Sequence, residues 1–268
     1  MPEGHYTHRL AQDHRKEFAG QEIAISSPQG RFADDARAVD GRVLKTVRAF
    51  GKQVFYDFGG GDPDARYIHV HLGRYGKLRK QAVPAAEPVG QVRMRFLGEQ
   101  AGFDLTGPTT CRVIGEAERE TVLAKLGPDP LDPKADAGRA FEKIKKSSRE
   151  VGGLILDQAV IAGIGNIYRA EILFELGLDP TRPGTSISRE EFDAIWETTV
   201  RLMKVGVKYR KIITVSREEA GVPLSRIPGR ERTRIYKKRH CLTCNDPIKC
   251  WEQANRKMYA CPSCQGMS

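Results

Sequence analysis

Two cysteine pairs carry metal-ligand spacing: Cys241-x2-Cys244 and Cys261-x2-Cys264, with 16 residues between them. Each Cys-x-x-Cys turn lets two thiolates converge on one ion, and the intervening length suits a β-hairpin. Four sulfurs complete a closed tetrahedral shell, the chemistry of one structural zinc ion per chain and not of a catalytic metal. Cys250 and His240 lie nearby without paired spacing, and read as a buried small thiol and a flanking polar residue. Cys111 reads as a core cysteine. A second feature is Gly163-Ile164-Gly165-Asn166, two glycines immediately before a helical pattern. Backbone N–H groups at such a helix start point at an anion and glycine allows close approach, so phosphate is one expected ligand. A tight turn between two helices is the other reading.

Charge distribution points to the same ligand class. The net charge is +10, yet from Arg201 onward there are 16 Lys+Arg against 5 Asp+Glu, so the whole excess sits in the C-terminal quarter. Such a local surplus favours a polyanion, most simply a nucleic-acid backbone. No apolar run approaches the roughly 20 residues of a membrane span, and the charged N-terminal residues lack an export core, so a cytoplasmic protein is expected. In that reducing compartment the cysteines suit metal or catalysis better than disulfides.

The elements that must position these groups change period along the chain. A helix is expected from His5 to Phe18, and strands from Val43 to Phe58 around a turn near Gly51. Tyr67 to Leu72 alternates, with Ile68, Val70 and Leu72 inward and His69 and His71 outward. Gln91 to Phe96 alternates likewise, with Arg93 and Arg95 outward. Short strands around turn residues indicate a sandwich or barrel with one added helix. Residues 116–136, containing Leu-Gly-Pro-Asp-Pro-Leu at 126–131, read as a connection. Helical patterns follow at 138–148, 150–160, 166–176 and 188–206, the third closed by Gly177 with Pro180 beyond. The basic stretch from Lys211 to Arg234 reads as a mobile loop, and Tyr236 to Ser268 as the cysteine-rich unit.

Met-Pro-Glu-Gly at the start, Gly-Ile-Gly-Asn-Ile-Tyr in the middle, Leu-Gly-Pro-Asp-Pro-Leu between them and the four-cysteine hairpin together resemble the formamidopyrimidine-DNA glycosylase/endonuclease VIII family over nearly the whole chain. The resemblance implies an α+β fold: an N-terminal catalytic β-sandwich with an added helix (1–115), a linker (116–136), a helix-two-turn-helix DNA-binding domain with the basic loop (137–235) and a zinc finger (236–268). It implies a bifunctional glycosylase and abasic-site lyase that removes oxidised bases from damaged DNA, acting as a monomer in the bacterial cytoplasm at the nucleoid.

In that family pattern Pro2 becomes the nucleophile once Met1 is removed. An N-terminal amine titrates near about pH 8, far below lysine, so a useful fraction is unprotonated at neutral pH. The helix that follows would set its positive end near the amine and favour the neutral form further. Attack on C1′ of the damaged nucleotide would form an iminium that acts as an electron sink. Glu3 would be the general acid/base, and Lys52, after Gly51, the hairpin lysine that positions phosphate and donates a proton. Asn166 and Arg256, the latter five residues before Cys261, match residues that clamp phosphates beside the extruded nucleotide, a role suited to a planar guanidinium. The base must leave the duplex to be reached. Arg74 and Tyr75 in the loop after the strand ending at Leu72 are the candidates to fill the void, and His71 matches a phosphate contact. The implied outcome is excision followed by β,δ-elimination.

Two departures sharpen the assignment. Tyr6 stands where many members have glutamate. The Arg-Arg-Phe loop of the formamidopyrimidine branch is missing, the corresponding region being Asp104 to Thr109. This favours the endonuclease VIII branch, near a second type seen in actinobacteria, and oxidised pyrimidines, on duplex or single-stranded DNA. The alternatives are an oxidised-purine (8-oxoguanine) glycosylase and a non-catalytic damaged-DNA-binding protein. The tail is too small to fold without metal. Chelation is therefore expected to unfold it and weaken DNA binding in a titration; equal binding after verified metal removal contradicts the zinc assignment.

Overall fold

The computed structural model describes residues 2–60 and 64–267. Met1, whose removal the amine chemistry requires, lies outside them. The chain forms two compact units, one of Pro2 and Thr7–Lys125, the other of Glu3–Tyr6 and Leu126 onward.

In the first unit, α1 (Gly4–Phe18) places Leu10, Ala11, His14 and Phe18 inward at helical spacing, with only its first turn belonging to the other unit. After β1 (Glu22–Ser26), α2 (Ala33–Val39) and β2 (Arg42–Val43), the expected hairpin at Gly51 forms from β3 (Thr46–Phe50) and β4 (Gln53–Asp57). Then come β5 (Tyr67–His71), β6 (Lys77–Ala82), β7 (Val92–Leu97), β8 (Ala101–Thr106), β9 (Thr110–Ile114) and α3 (Glu116–Ala124). The sheets, in orders β2-β1-β7-β8-β6 and β3-β4-β5-β9, are antiparallel throughout. They enclose a core that includes Ile23, Leu44, Val54, Ile68, Leu72, Met94 and Phe96. This is a β-sandwich with an added helix.

Two outward assignments are corrected. Arg95 is buried, because β7 is a central strand and Asp104 stands opposite it on β8. Its Nε and Nη2 donate to the two carboxylate oxygens at 2.8 and 2.9 Å. His69 is buried too, stacked on Phe55 with ring centroids 4.8 Å apart and bonded through Nε2 to Gln53 at 2.8 Å. The second face of its sheet is not bare: Phe55, Tyr67 and Ile114 cluster there with Val122 and Leu123 of α3. The start of the stretch read as a connection is thus a helix, which turns a half-exposed strand into one buried on both faces.

In the second unit α4 (Gly138–Lys145), α5 (Val151–Leu156), α6 (Asn166–Glu175) and α7 (Arg189–Tyr209) pack with the hairpin β10 (Lys249–Gln253) and β11 (Arg256–Ala260) on one core. Ile155, Tyr168, Ile172 and Phe192 from the helices meet Met258, Cys241 and Cys261 there. Helix α7 opens on a full capping box between Ser188 and Glu191, and α6 is closed by Gly177 at φ +63°. The basic stretch, expected to be a loop, is not without regular structure. Between α7 and β10 it builds the single-turn helix α8 (Arg217–Ala220) and its own apolar cluster, with Ile213, Val215 and Ile227 buried. Their irregular spacing gives no periodic signal. Among the described residues no helix is long and apolar enough to cross a membrane.

His14 is stacked on Phe103, bonded to Tyr56 Oη at 2.8 Å, and held by burial at a pKa of about 4. Below the ordinary histidine value of 6.5 the unfolded chain takes up a proton that the native site refuses, so stability present above pH 6.5 is lost on descent to pH 4. In denaturant titrations across that range His14→Phe is expected to flatten the decline by about one proton's worth of slope. An unaltered slope would place the acid sensitivity elsewhere.

Candidate active site

The N-terminus of α6 is the centre of the second unit's site. Glu3 is fully buried, and its carboxylate accepts the N–H groups of Gly165 (2.9 Å), Ile167 (2.9 Å) and Tyr168 (3.4 Å). The anion expected at this helix start is therefore met from within the chain: these three donors hold Glu3, which corrects their assignment to phosphate. The glycines explain how the carboxylate gets so close. A Cβ on Gly165 would stand 2.3 Å from Glu3 Cδ, and one on Gly4 would meet Gly163 Cα at 2.8 Å. Gly4 N–H also donates to Gly163 O at 2.8 Å. Gln158 braces the turn before them, accepting from Gly163 N–H and donating to Ile164 O.

The expected phosphate contacts of this unit lie where the start of α6 meets the hairpin. Asn166 is buried, with Nδ2 donating to Lys257 O at 2.8 Å and Oδ1 accepting from Arg169 Nη2 at 2.6 Å. Arg169 is itself buried, its pKa pushed down to about 10 by burial, and it donates to Gln253 O at 3.1 Å. Gln253 and Arg256 face each other across the two-residue turn Ala254-Asn255, whose φ values of +52° and +57° give the hairpin its tight reversal. The backbone on both sides of Arg256 is thus tied to α6, while the Arg256 side chain is exposed. The sequence identifies Asn166 and Arg256 but not Arg169, since nothing in its spacing announces a buried guanidinium.

The Sγ atoms of Cys241, Cys244, Cys261 and Cys264 lie within 4.8 Å of one another. Cys241 and Cys264 are 3.8 Å apart, Cys244 and Cys261 3.4 Å. A tetrahedral ion with bonds of about 2.3 Å to sulfur needs edges of about 3.8 Å, so the cluster can hold one metal ion. Cys250 is exposed on β10 and not the buried thiol expected; His240 Nδ1 is bonded to Asn245 O. Cys111 is buried, its thiol pushed up to about 12.

Other expected residues belong to the first unit. Pro2 is half-buried. Lys52 follows Gly51, whose carbonyl accepts the Thr7 hydroxyl at 2.6 Å. His71 is held below the ordinary histidine range by burial and by the Lys52 charge, and it pairs across β4 and β5 with Gln53, the residue after Lys52. Arg74 and Tyr75 project from the turn after β5, Tyr75 being 69% exposed. The Asp104–Thr109 region is a continuation of β8 and a short turn into β9, whose Thr109 N–H donates to His71 O.

One feature escaped the sequence reading. A cavity of about 530 Å³ in the second unit is lined by Ile167, Ile212, Gly229, Arg230, Arg232, Thr233, Tyr236, Lys237 and Lys238. It brings Ile167 of α6 together with residues of the segment after α7, and local patterning carries no sign of that.

The family model described as the formamidopyrimidine-DNA glycosylase N-terminal domain matches residues 1–106, and that of the formamidopyrimidine-DNA glycosylase H2TH domain matches 126–218. Endonuclease 8 1 of Mycobacterium tuberculosis is 47% identical over 99% of this chain and 100% of its own. Formamidopyrimidine-DNA glycosylase of Geobacillus kaustophilus is 36% identical over 90% of this chain and 88% of its own. In fold, the chain is similar to Lactococcus lactis Fpg in complex with DNA containing N7-benzyl-Fapy-dG, with a TM-score of 0.81 at 20% identity, covering 98% and 99% of the two chains.

Glu3→Gln would turn an amide NH2 toward N–H donors. It is expected to lower unfolding free energy by about 1–3 kcal/mol, the cost of buried groups left unsatisfied. Chemical denaturation reads this directly, and an unchanged midpoint would show that α6 has other partners at its start.

Proposed function

We propose that this chain, which belongs to the formamidopyrimidine-DNA glycosylase/endonuclease VIII family, excises oxidised pyrimidines from DNA through an iminium on Pro2. The chain is a bifunctional DNA glycosylase and abasic-site lyase acting on oxidised bases. The observation that carries the finer reading is the anchorage of Glu3. Its carboxylate is bonded to three backbone N–H groups at a rigid helix start, and the adjoining residue in the chain is the proline. A reacting group so tethered loses little freedom on engaging substrate.

The secondary amine of Pro2 attacks C1′; the C1′–N bond to the base breaks and the leaving base carries the electron pair. The proton that the attacking amine gives up is relayed by Glu3 to the sugar O4′ as the ring opens to the iminium, and Glu3 moves protons in the later steps. The iminium then withdraws electrons as the 3′ and 5′ C–O bonds break by β,δ-elimination, leaving a one-nucleoside gap flanked by phosphates. In the first unit Lys52 positions phosphate and donates a proton, and His71 contacts phosphate. Asn166 and Arg256 clamp phosphates at the second. The extruded base lodges in the cavity floored by Ile167, whose rim of Arg230, Arg232, Lys237 and Lys238 suits a nucleotide. Arg74 and Tyr75 fill the space it leaves. The four thiolates hold structural Zn2+, whose chemistry there is to fold the hairpin that presents Arg256.

The short turn after Asp104–Thr106, in place of a long loop, favours pyrimidines over 8-oxoguanine. DNA with one thymine glycol or 5-hydroxycytosine is expected to trap covalently on borohydride reduction, with the adduct mapped to Pro2 by mass spectrometry and absent in Pro2→Gly. Faster cutting of 8-oxoguanine would overturn the branch assignment. Binding without any adduct, by protein lacking Met1, would overturn the mechanism.

A further inference from the structure

We propose that the outer edge of β6 is a docking strand for an acidic, extended segment of a partner protein, which adds antiparallel as one more strand of the sheet. β6 (Lys77–Ala82) ends the sheet order β2-β1-β7-β8-β6 and pairs along its whole length with β8. Every second residue therefore turns its N–H and C=O away from β8. Among the described residues no other strand or loop backbone bonds to these outward groups. A row of unmet backbone groups is a template for a further strand.

The side chains decide which strand fits. Lys77, Arg79 and Gln81 lie opposite Thr106, Asp104 and Gly102, and Leu78, Lys80 and Ala82 opposite Leu105, Phe103 and Ala101. Leu78 packs on the sandwich core, so Lys80 stands on the core-side face and Lys77 and Arg79 on the outer one. All three cations are exposed, and among the described residues none has a hydrogen bond or ion pair at its side chain. They are a local concentration, since the first 200 residues together carry no net positive charge. Beyond the strand, Pro84 lacks the N–H to continue it. The segment leading to β7 is apolar and open, with Val83 38% and Val89 66% exposed.

These features separate the possible occupants. A second copy of β6 laid antiparallel would set Arg79 and Lys80 against the same two cations, and like charges directly opposite are unfavourable. DNA takes phosphate contacts from side chains and leaves a backbone edge and exposed valines without use. An acidic strand uses the edge, the cations and the valines together. Antiparallel pairing also fixes its order: apolar residues against Val83 and Ala82, carboxylates against Lys80 and Arg79, an apolar residue against Leu78 and a carboxylate against Lys77.

A fluorescein-labelled peptide Val-Val-Thr-Glu-Asp-Ile-Glu has that order, and its anisotropy with the full chain tests the edge. Saturable binding is expected below about 100 µM. Reversing two charges, in Arg79→Glu/Lys80→Glu, is expected to weaken it about tenfold or more, with the unfolding midpoint and abasic-site cutting unchanged. Methylating the peptide's backbone nitrogens one at a time should abolish binding at alternate positions, because only every second N–H of an added strand faces β6. No saturation by about 1 mM would overturn the proposal. Equal tolerance of methylation at every position would also overturn it, by reducing the contact to charge attraction. Duplex-DNA affinity lost as steeply in the double variant, with the peptide still bound, would give the cations to DNA and overturn it likewise.

Discussion

A carboxylate taken out of water has to be met by donors on both oxygens, and one ten-residue helix, α6, meets this demand twice. At its start the first-turn N–H groups, which no helix can satisfy internally, receive Glu3. In its middle Glu171 does the converse, gathering N–H groups from the segment that leads to the cysteine hairpin. The helix macrodipole favours the anion at the first place. At the second, the backbone is bent to suit a side chain. The N-terminal residues, the glycine turn and the basic segment all take their positions from these two carboxylates.

Arg169 extends the same logic to the hairpin. A buried guanidinium needs acceptors, and it finds carbonyls on the hairpin and the amide oxygen of Asn166. Burial of an arginine is costly unless its donors are used, and here their use ties the turn carrying Arg256 to α6. The cysteine cluster lies at the other end of the hairpin strands, so the four thiols and the guanidinium sit at opposite ends of one small element. Met258 and Cys261 complete the joint by entering the helical core. A 33-residue tail as read from the sequence is, in the folded chain, continuous with the helices before it.

Local chemistry made much of this legible. The hairpin at Gly51, the end of α6 at Gly177 and the spacing of the four cysteines depend on neighbours in the chain, and the structure has them where the sequence indicates. The strand phases of Ile68, Val70, Met94 and Phe96 were equally readable, because period-two burial is a local pattern. The outward phases failed at His69 and Arg95. Each lies opposite a residue on the neighbouring strand, Phe55 or Asp104, and strand pairing, not the local alternation, decides its burial.

The amino-acid sequence by itself determined the identities on which the proposed chemistry rests: a proline and a glutamate at the start, two glycines before a helix, paired thiols, and a basic C-terminal quarter. It also determined the family through their order. Tertiary structure alone decided which anion occupies the helix start, that Arg169 and Glu171 are buried, and that the basic stretch folds around Ile213, Val215 and Ile227. The division has a physical cause. Propensity, turn geometry and ligand spacing act over a few residues and leave a mark in the local sequence. Satisfying a buried charge is a long-range condition, met by whichever donors the packed chain brings to it.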